Sequence, residues 1–123
     1  MNVQTLGDAP LHARGGQRSY LLLGSGRFDA RHLAITWVDC APGSQQLVHE
    51  HDAQEQVYVI IRGRGVMIVG DDEREVEAGT LVLMPPGTGH AIRNASGDAM
   101  SYVSATSPPF DDAMLGALYR PQR

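Results

Sequence analysis

Residues 43–63 read GSQQLVHEHDAQEQVYVIIRG and carry the clearest structural signal in the chain. The second half of this stretch, residues 56–62, is rich in Val, Ile and Tyr and ends before a glycine, which is typical of a β-strand. Because side chains alternate between the two faces of a strand, we expect Gln56, Tyr58 and Ile60 to share one face. The sequence therefore predicts a strand whose inward face carries a polar side chain beside apolar ones.

The opposite face of this strand is apolar as well, since it carries Val57, Val59 and Ile61. An antiparallel sheet with one face open to solvent normally has polar residues on that face. We therefore expect the outer face to be covered, either by the terminal segments or by a second copy of the chain. Between these alternatives we favour a homodimer.

The rest of the chain consists of short apolar runs separated by Gly, Pro and Asp/Asn clusters. Strands at such close spacing predict an all-β sandwich or barrel. Further strands are predicted at residues 19–23, 32–39, 66–69, 73–77, 80–84, 90–93 and 100–105. Residues 66–77 are expected to form a hairpin that turns at Gly70, Asp71 and Asp72, and residues 111–119 to form a short helix.

Three of the five histidines form a pattern with chemical meaning. His49 and His51 are separated by one residue, so on a strand both imidazoles project from the same face. His90 begins another predicted strand, directly after a Pro-Pro-Gly turn. Neutral imidazole is a common ligand of Zn, Cu, Fe and Ni. An isolated His-x-His pair on a surface strand usually binds nothing, so the interpretation depends on the residues around it.

The surrounding spacing resembles the two motifs of the cupin superfamily. The first motif runs Gly, five residues, His-x-His, three or four residues, Glu, six residues, Gly; the corresponding positions are Gly43, His49, His51, Gln56 and Gly63. The second runs Gly, five residues, Pro-x-Gly, two residues, His, three residues, Asn; it is matched at Gly79, Pro85, Gly87, His90 and Asn94. The resemblance covers about residues 20–105 and implies a cupin double-stranded β-helix, a jelly-roll barrel.

The resemblance also implies a division of the chain and a metal site. We expect the barrel at residues 19–105, an N-terminal segment at 1–18 that packs on the barrel or on a partner, and a C-terminal tail at 106–123. The implied ligands of one divalent transition metal are His49, His51 and His90. Mn, Fe, Co, Ni, Cu and Zn all accept such a ligand set.

The chain departs from the family pattern at the fourth ligand. The family most often has Glu at the position that Gln56 occupies, and Glu55 lies one residue earlier. Counting six residues back from Gly63 favours Gln56, whereas the looser spacing of the motif admits Glu55, and a site without a fourth protein ligand is the remaining alternative. With Gln56 the site keeps a charge near +2 and lacks the carboxylate that can act as a general base.

Tyr58, two residues beyond Gln56, is the nearest candidate for a catalytic group beside the metal. The competing interpretation, a core tyrosine with a satisfied hydroxyl, is favoured. Similarity to quercetinase-like dioxygenases implies oxygen chemistry on a small organic molecule, an enol or phenol, and a Lewis-acid isomerase or lyase comes next. The alternative is a non-catalytic barrel that binds or senses a small ligand.

Composition argues against other classes. The chain has 10 Lys and Arg residues, 14 Asp and Glu residues and no basic stripe, so we expect no nucleic-acid partner. No apolar stretch is long enough to cross a bilayer, so we expect no membrane association. No signal peptide is recognised, and Cys40 is the only cysteine, so we expect a soluble, cytoplasmic protein.

Overall fold

The computed structural model describes residues 1–24 and 26–122. Its β-strands are β1 (Leu11–Arg14), β2 (Gln17–Leu23), β3 (Ala34–Cys40), β4 (Glu55–Arg62), β5 (Arg64–Val69), β6 (Asp72–Glu77), β7 (Leu81–Met84), β8 (His90–Arg93) and β9 (Met100–Ser107). A 3₁₀ turn spans Arg27–Asp29, and a single α-helix in the described part, α1, spans Asp112–Leu118. None of the described helices is long and apolar enough to cross a membrane.

The strands form two antiparallel sheets that enclose one core. The larger sheet has the order β1-β2-β3-β9-β4-β7, and the smaller has the order β6-β5-β8. The segment that carries His49 runs beside β8, with isolated bridges joining Gln45 to Arg93 and His49 to His90. This arrangement confirms the predicted all-β jelly-roll barrel with a short C-terminal helix.

The alternation predicted for β4 is confirmed. Its inward side chains Gln56, Tyr58 and Ile60 are buried, whereas the outward Ile61 is exposed. Tyr58 and Ile60 belong to the core, together with apolar residues from both sheets: Val38, Cys40, Met67, Val76, Met84, Ile92, Met100 and Tyr102. The period of two therefore aims the polar Gln56 into the barrel interior.

The outer face of the larger sheet carries two apolar rows that cross four strands. In one row Trp37 pairs with Val103, Val103 with Val59, and Val59 with Leu81. In the other row the paired side chains are Ile35, Ala105, Val57 and Leu83. Leu81 and Leu83 remain 59% and 48% exposed, so nothing in the described chain covers this end of the rows.

Segments near the two ends of the chain meet beside the larger sheet. Leu11 in β1 and Arg120 exchange two backbone hydrogen bonds of 2.8 and 2.9 Å. The Tyr119 hydroxyl lies 2.6 Å from the Ser19 hydroxyl, and Gln122 donates to the carbonyl oxygens of Leu6 and Ala9. These contacts hold α1 beside β1 and β2.

Candidate metal centre

Strand pairing brings His49 and His90 together. The His49 amide donates to the His90 carbonyl at 3.0 Å, and the His90 amide donates to the His49 carbonyl at 2.8 Å. His51 follows on the same face, and its carbonyl accepts from the amide of Gly87 at 2.8 Å. Gly87 has φ near +75°, which explains why the turn before His90 needs a glycine. The loop before β8 is thus fastened to the segment that carries the other two histidines.

The three imidazoles form one compact cluster. The ring centroids lie 4.3 Å apart for His49 and His90, 5.3 Å for His49 and His51, and 5.5 Å for His51 and His90. One ring nitrogen from each residue lies within 4.8 Å of the other two. The three histidines of the sequence motif therefore lie close enough together to hold one metal ion.

Hydrogen bonding prepares two of the rings for ligation. The Nδ1 of His49 lies 2.9 Å from the Leu47 carbonyl oxygen, and the Nδ1 of His90 lies 3.2 Å from the Thr88 carbonyl oxygen. Because a carbonyl only accepts, each Nδ1 must carry the proton, and in the neutral ring Nε2 keeps its lone pair. The Nε2 of His90 is buried and has no partner within the described part of the chain. A metal ion would satisfy that atom.

Burial and mutual repulsion keep His51 and His90 neutral. The pKa of His51 is lowered to about 4, chiefly by desolvation and then by His49 and His90. Desolvation also lowers the pKa of His90, with the Thr88 carbonyl opposing it. At neutral pH these two residues are therefore in the uncharged form that ligates metals.

Gln56 is buried, whereas Glu55 is exposed. The Gln56 Nε2 donates to the Thr106 hydroxyl oxygen at 2.9 Å, and its Oε1 is buried without a partner among the described residues. This hydrogen bond occupies the nitrogen end of the amide and leaves the oxygen free. Of the two candidates only Gln56 faces the barrel interior. Its role as the fourth ligand stays a prediction.

Tyr58 is 3% exposed, and its ring meets that of His90 edge-on at a centroid distance of 5.9 Å. It also stacks on Tyr102 at 4.3 Å. Burial raises the pKa of Tyr58 to about 12, although hydrogen bonds with Gln46 and Tyr102 oppose the rise. The phenol therefore keeps its proton at neutral pH and can donate a hydrogen bond. Its catalytic role stays a prediction.

A cavity of about 580 Å³ opens beside the histidines. Sequence reasoning did not identify several of its lining residues, including Arg14 and Gln17 near the β1–β2 turn and Phe110, whose ring lies 4.6 Å from that of His51. The side chains of Met114, Leu115 and Leu118 place α1 along one wall. These residues lie outside the histidine motifs, so motif spacing carries no signal for them.

The sequence pattern of the Cupin domain family, Cupin_2, matches residues 36–106. Among curated proteins, an uncharacterized protein of Methanocaldococcus jannaschii is 34% identical over 68 residues, which are 55% of this chain and 54% of that protein. The chain spans about half the length of the curated relatives it matches.

Solved structures share the architecture at low sequence identity. An RmlC-like cupin from Shewanella frigidimarina has a TM-score of 0.78 at 18% identity, covering 92% of this chain and 96% of that one. A protein described as a predicted oxalate decarboxylase, from Thermotoga maritima, has a TM-score of 0.78 at 18% identity, covering 88% and 99%. At these identities the likeness establishes the fold alone.

Proposed function

This chain belongs to the Cupin domain family, and from that premise we propose that it is a metal-dependent enzyme acting on a small organic molecule. His49, His51 and His90 would hold one divalent transition metal, with Gln56 as the fourth ligand. The observation that carries the proposal is a pair of buried, partnerless atoms, Nε2 of His90 and Oε1 of Gln56, and Gln56 lines the same cavity as His49 and His51. Both are lone-pair donors that lack any other partner among the described residues.

The ligand set favours electrophilic chemistry. Three neutral imidazoles and one amide leave the full charge of a divalent ion, which when bound would polarise a substrate oxygen as a Lewis acid or, if redox-active, support reaction with O₂. Around it, the hydrogen bonds from His49 and His90 to backbone carbonyls fix the rings. The protonated Tyr58 phenol would donate a hydrogen bond rather than abstract a proton.

Three reaction classes suit this arrangement. A dioxygenase-like reaction is the first candidate, and a Lewis-acid isomerase or lyase is the second. A solved neighbour is described as a predicted oxalate decarboxylase, a description that names chemistry on a small organic molecule. No carboxylate lines the cavity among the described residues, which favours reactions that do not need a carboxylate base.

The second candidate function is a barrel that binds or senses a small ligand without turning it over. It is favoured by the absence of any carboxylate among the described lining residues, and by a Tyr58 hydroxyl already engaged with Gln46 and Tyr102. A binding barrel would retain its ligand affinity after removal of the metal, whereas the enzyme would not.

The test is the metal content of the purified protein, measured by inductively coupled plasma mass spectrometry. We expect about one transition-metal ion per chain in the wild type and almost none in His51→Ala. His32→Ala is the matched control, because His32 is exposed and does not line the cavity. Equal metal content in the two variants, or little metal in the wild type even after reconstitution, would overturn the assignment.

We also propose that two copies associate through the outer apolar rows of the larger sheet. Such a C2 contact is self-complementary, and eight uncharged side chains in two rows offer a surface that can meet itself. The exposed Leu81 and Leu83 lie at one edge of this surface.

A cytoplasmic location stays a prediction. It depends on Cys40 being the only cysteine in the chain. Burial raises the pKa of this thiol to about 12.

A further inference from the structure

We infer that the cavity selects organic anions, and that Arg14 and Gln17, beside the β1–β2 turn, bind the ligand's carboxylate. The other end of such a ligand would reach the histidine cluster. This inference deepens the proposed function and rests on it for the metal-bound end of the ligand. The part of the inference that concerns the anion-binding residues depends only on side chains of the protein and not on a bound metal.

The charge of the cavity differs from that of the whole chain. The chain carries 14 acidic and 10 basic residues, for a net charge of −4. Among the described residues that line the cavity, however, none is Asp or Glu, and Arg14 supplies a fixed positive charge. A cavity with a cation at one end and a divalent metal site at the other attracts anions and repels cations.

Two hydrogen-bond donors lie side by side at the Arg14 end. Arg14 in β1 is the register partner of Gln17 in β2. The Nε2 of Gln17 is buried and has no acceptor within the described chain. The Arg14 guanidinium makes no hydrogen bond or ion pair with any described residue, although it borders the same cavity. A carboxylate accepts from a guanidinium in a bidentate manner and has lone pairs left for an amide donor.

The fold fixes the distance between the two ends of the cavity. The turn between β1 and β2 packs near Ser44, because the Ala41 amide donates to the Gly16 carbonyl at 2.9 Å and a Cβ on Gly16 would lie 3.1 Å from the Cβ of Ser44. The bridges of Gln45 to Arg93 and of His49 to His90 lie three residues apart along β8, so Gln45 and His49 are separated by about 10 Å. A ligand must span a comparable distance to touch both ends.

The wall between the ends is largely apolar. It includes Leu21 and Val38 from the larger sheet and Leu115 and Leu118 from α1. A ligand that fits this wall has an apolar body between two oxygen-bearing ends. The geometry therefore indicates a carboxylic acid with an aliphatic or aromatic body and a second oxygen group that can chelate a metal.

The experiment is a calorimetric titration of zinc-loaded protein with α,ω-dicarboxylates from malonate to sebacate and with monocarboxylates of matched length. We expect a dicarboxylate of intermediate or long chain to bind about tenfold more tightly than its matched monocarboxylate, the effect of one charge-assisted contact. Arg14→Gln should remove this advantage. Arg74→Gln, which makes the same change on an exposed residue of β6, should retain it.

Separate outcomes distinguish this inference from the proposed function. Dicarboxylates that bind no more tightly than monocarboxylates to zinc-loaded protein, or equal losses in Arg14→Gln and Arg74→Gln, would overturn the inference. If the protein holds little metal of any kind even after reconstitution with zinc, the proposed function fails, and octanoate titrated into metal-free protein tests the anion site alone. Octanoate binding that Arg14→Gln weakens and Arg74→Gln does not would support the anion site, and unchanged binding in Arg14→Gln would overturn it.

Discussion

Gln56 occupies a buried position whose neighbours leave only its oxygen free. The side chain is 6% exposed, and Thr106 accepts the hydrogen bond from its nitrogen. An amide oxygen is a weaker metal ligand than a carboxylate because it carries no charge. As a ligand, Gln56 would bind the metal more weakly than Glu and leave it more electrophilic, and the difference in affinity can be measured.

Gln56→Glu is expected to tighten metal binding by at least about tenfold, since an anionic ligand replaces a neutral one. The metal-free variant should be less stable than wild type, because a buried carboxylate without a partner is costly. Competition titration with a chromophoric chelator measures the affinity. Glu55→Gln, at the exposed neighbouring position, is the control and should change little. Unchanged or weaker binding in Gln56→Glu would argue that Gln56 is not a ligand.

The sequence predicted some of these residues and could not predict others. His49, His51, His90 and Gln56 follow from motif spacing and from the alternation of strand side chains. Arg14 and Gln17 do not, because their importance arises from β1 pairing with β2 beside the cavity. Pairing between strands is a tertiary feature, and a four-residue strand with only one large apolar side chain carries no clear period.

Turns between strands depend on glycines that serve different purposes. Gly63 and Gly87 have φ near +74° and +75°. A Cβ on Gly63 would lie 2.6 Å from the Ala99 carbonyl oxygen, whereas a Cβ on Gly87 would meet nothing within 4 Å. Alanine substitution at Gly87 would therefore cause backbone strain alone, whereas at Gly63 it would add a steric collision.

Gly63→Ala is expected to lower the free energy of unfolding by about 3 kcal/mol, because a collision with backbone adds to the strain of positive φ. Gly87→Ala, with the strain alone, should cost about 1–2 kcal/mol. Urea denaturation followed by circular dichroism measures both. Equal losses in the two variants would show that the contact with Ala99 relaxes at no cost.

The predicted strands agree closely with the observed ones. The strand at residues 90–93 matches β8, and the helix predicted at 111–119 appears as Asp112–Leu118 with the Asp111 side chain accepting from the Met114 amide. Apolar runs and turn residues carry this information locally. The hairpin between β5 and β6 is likewise confirmed. The sequence does not predict strand β1, because this short strand lies at the edge of the sheet and forms by pairing with β2.

At the scale of the whole molecule, the apolar outer rows, exposed at Leu81 and Leu83, predict self-association. We expect wild-type protein to have the mass of a dimer by multi-angle light scattering at micromolar concentration. Leu81→Glu should shift it to monomer, because a charge would be buried without a partner in the contact. Leu6→Glu places the same charge at an exposed leucine of the N-terminal segment and should leave the dimer intact. A monomeric wild type would contradict the proposal.

The exchange of hydrogen bonds between Leu11 and Arg120 has a consequence for how this barrel can be engineered. The segments that precede β1 and follow α1 are held as neighbours, so a peptide linker can join them. New termini can then be opened at Gly70–Asp71, in the tight turn of the smaller sheet. Such a circular permutant is still one continuous chain, in which His90 comes before His49 and His51. Opened at this turn, it separates His90 from His49 and His51 in sequence order while preserving their meeting in space, so that metal capture becomes a direct readout of barrel closure.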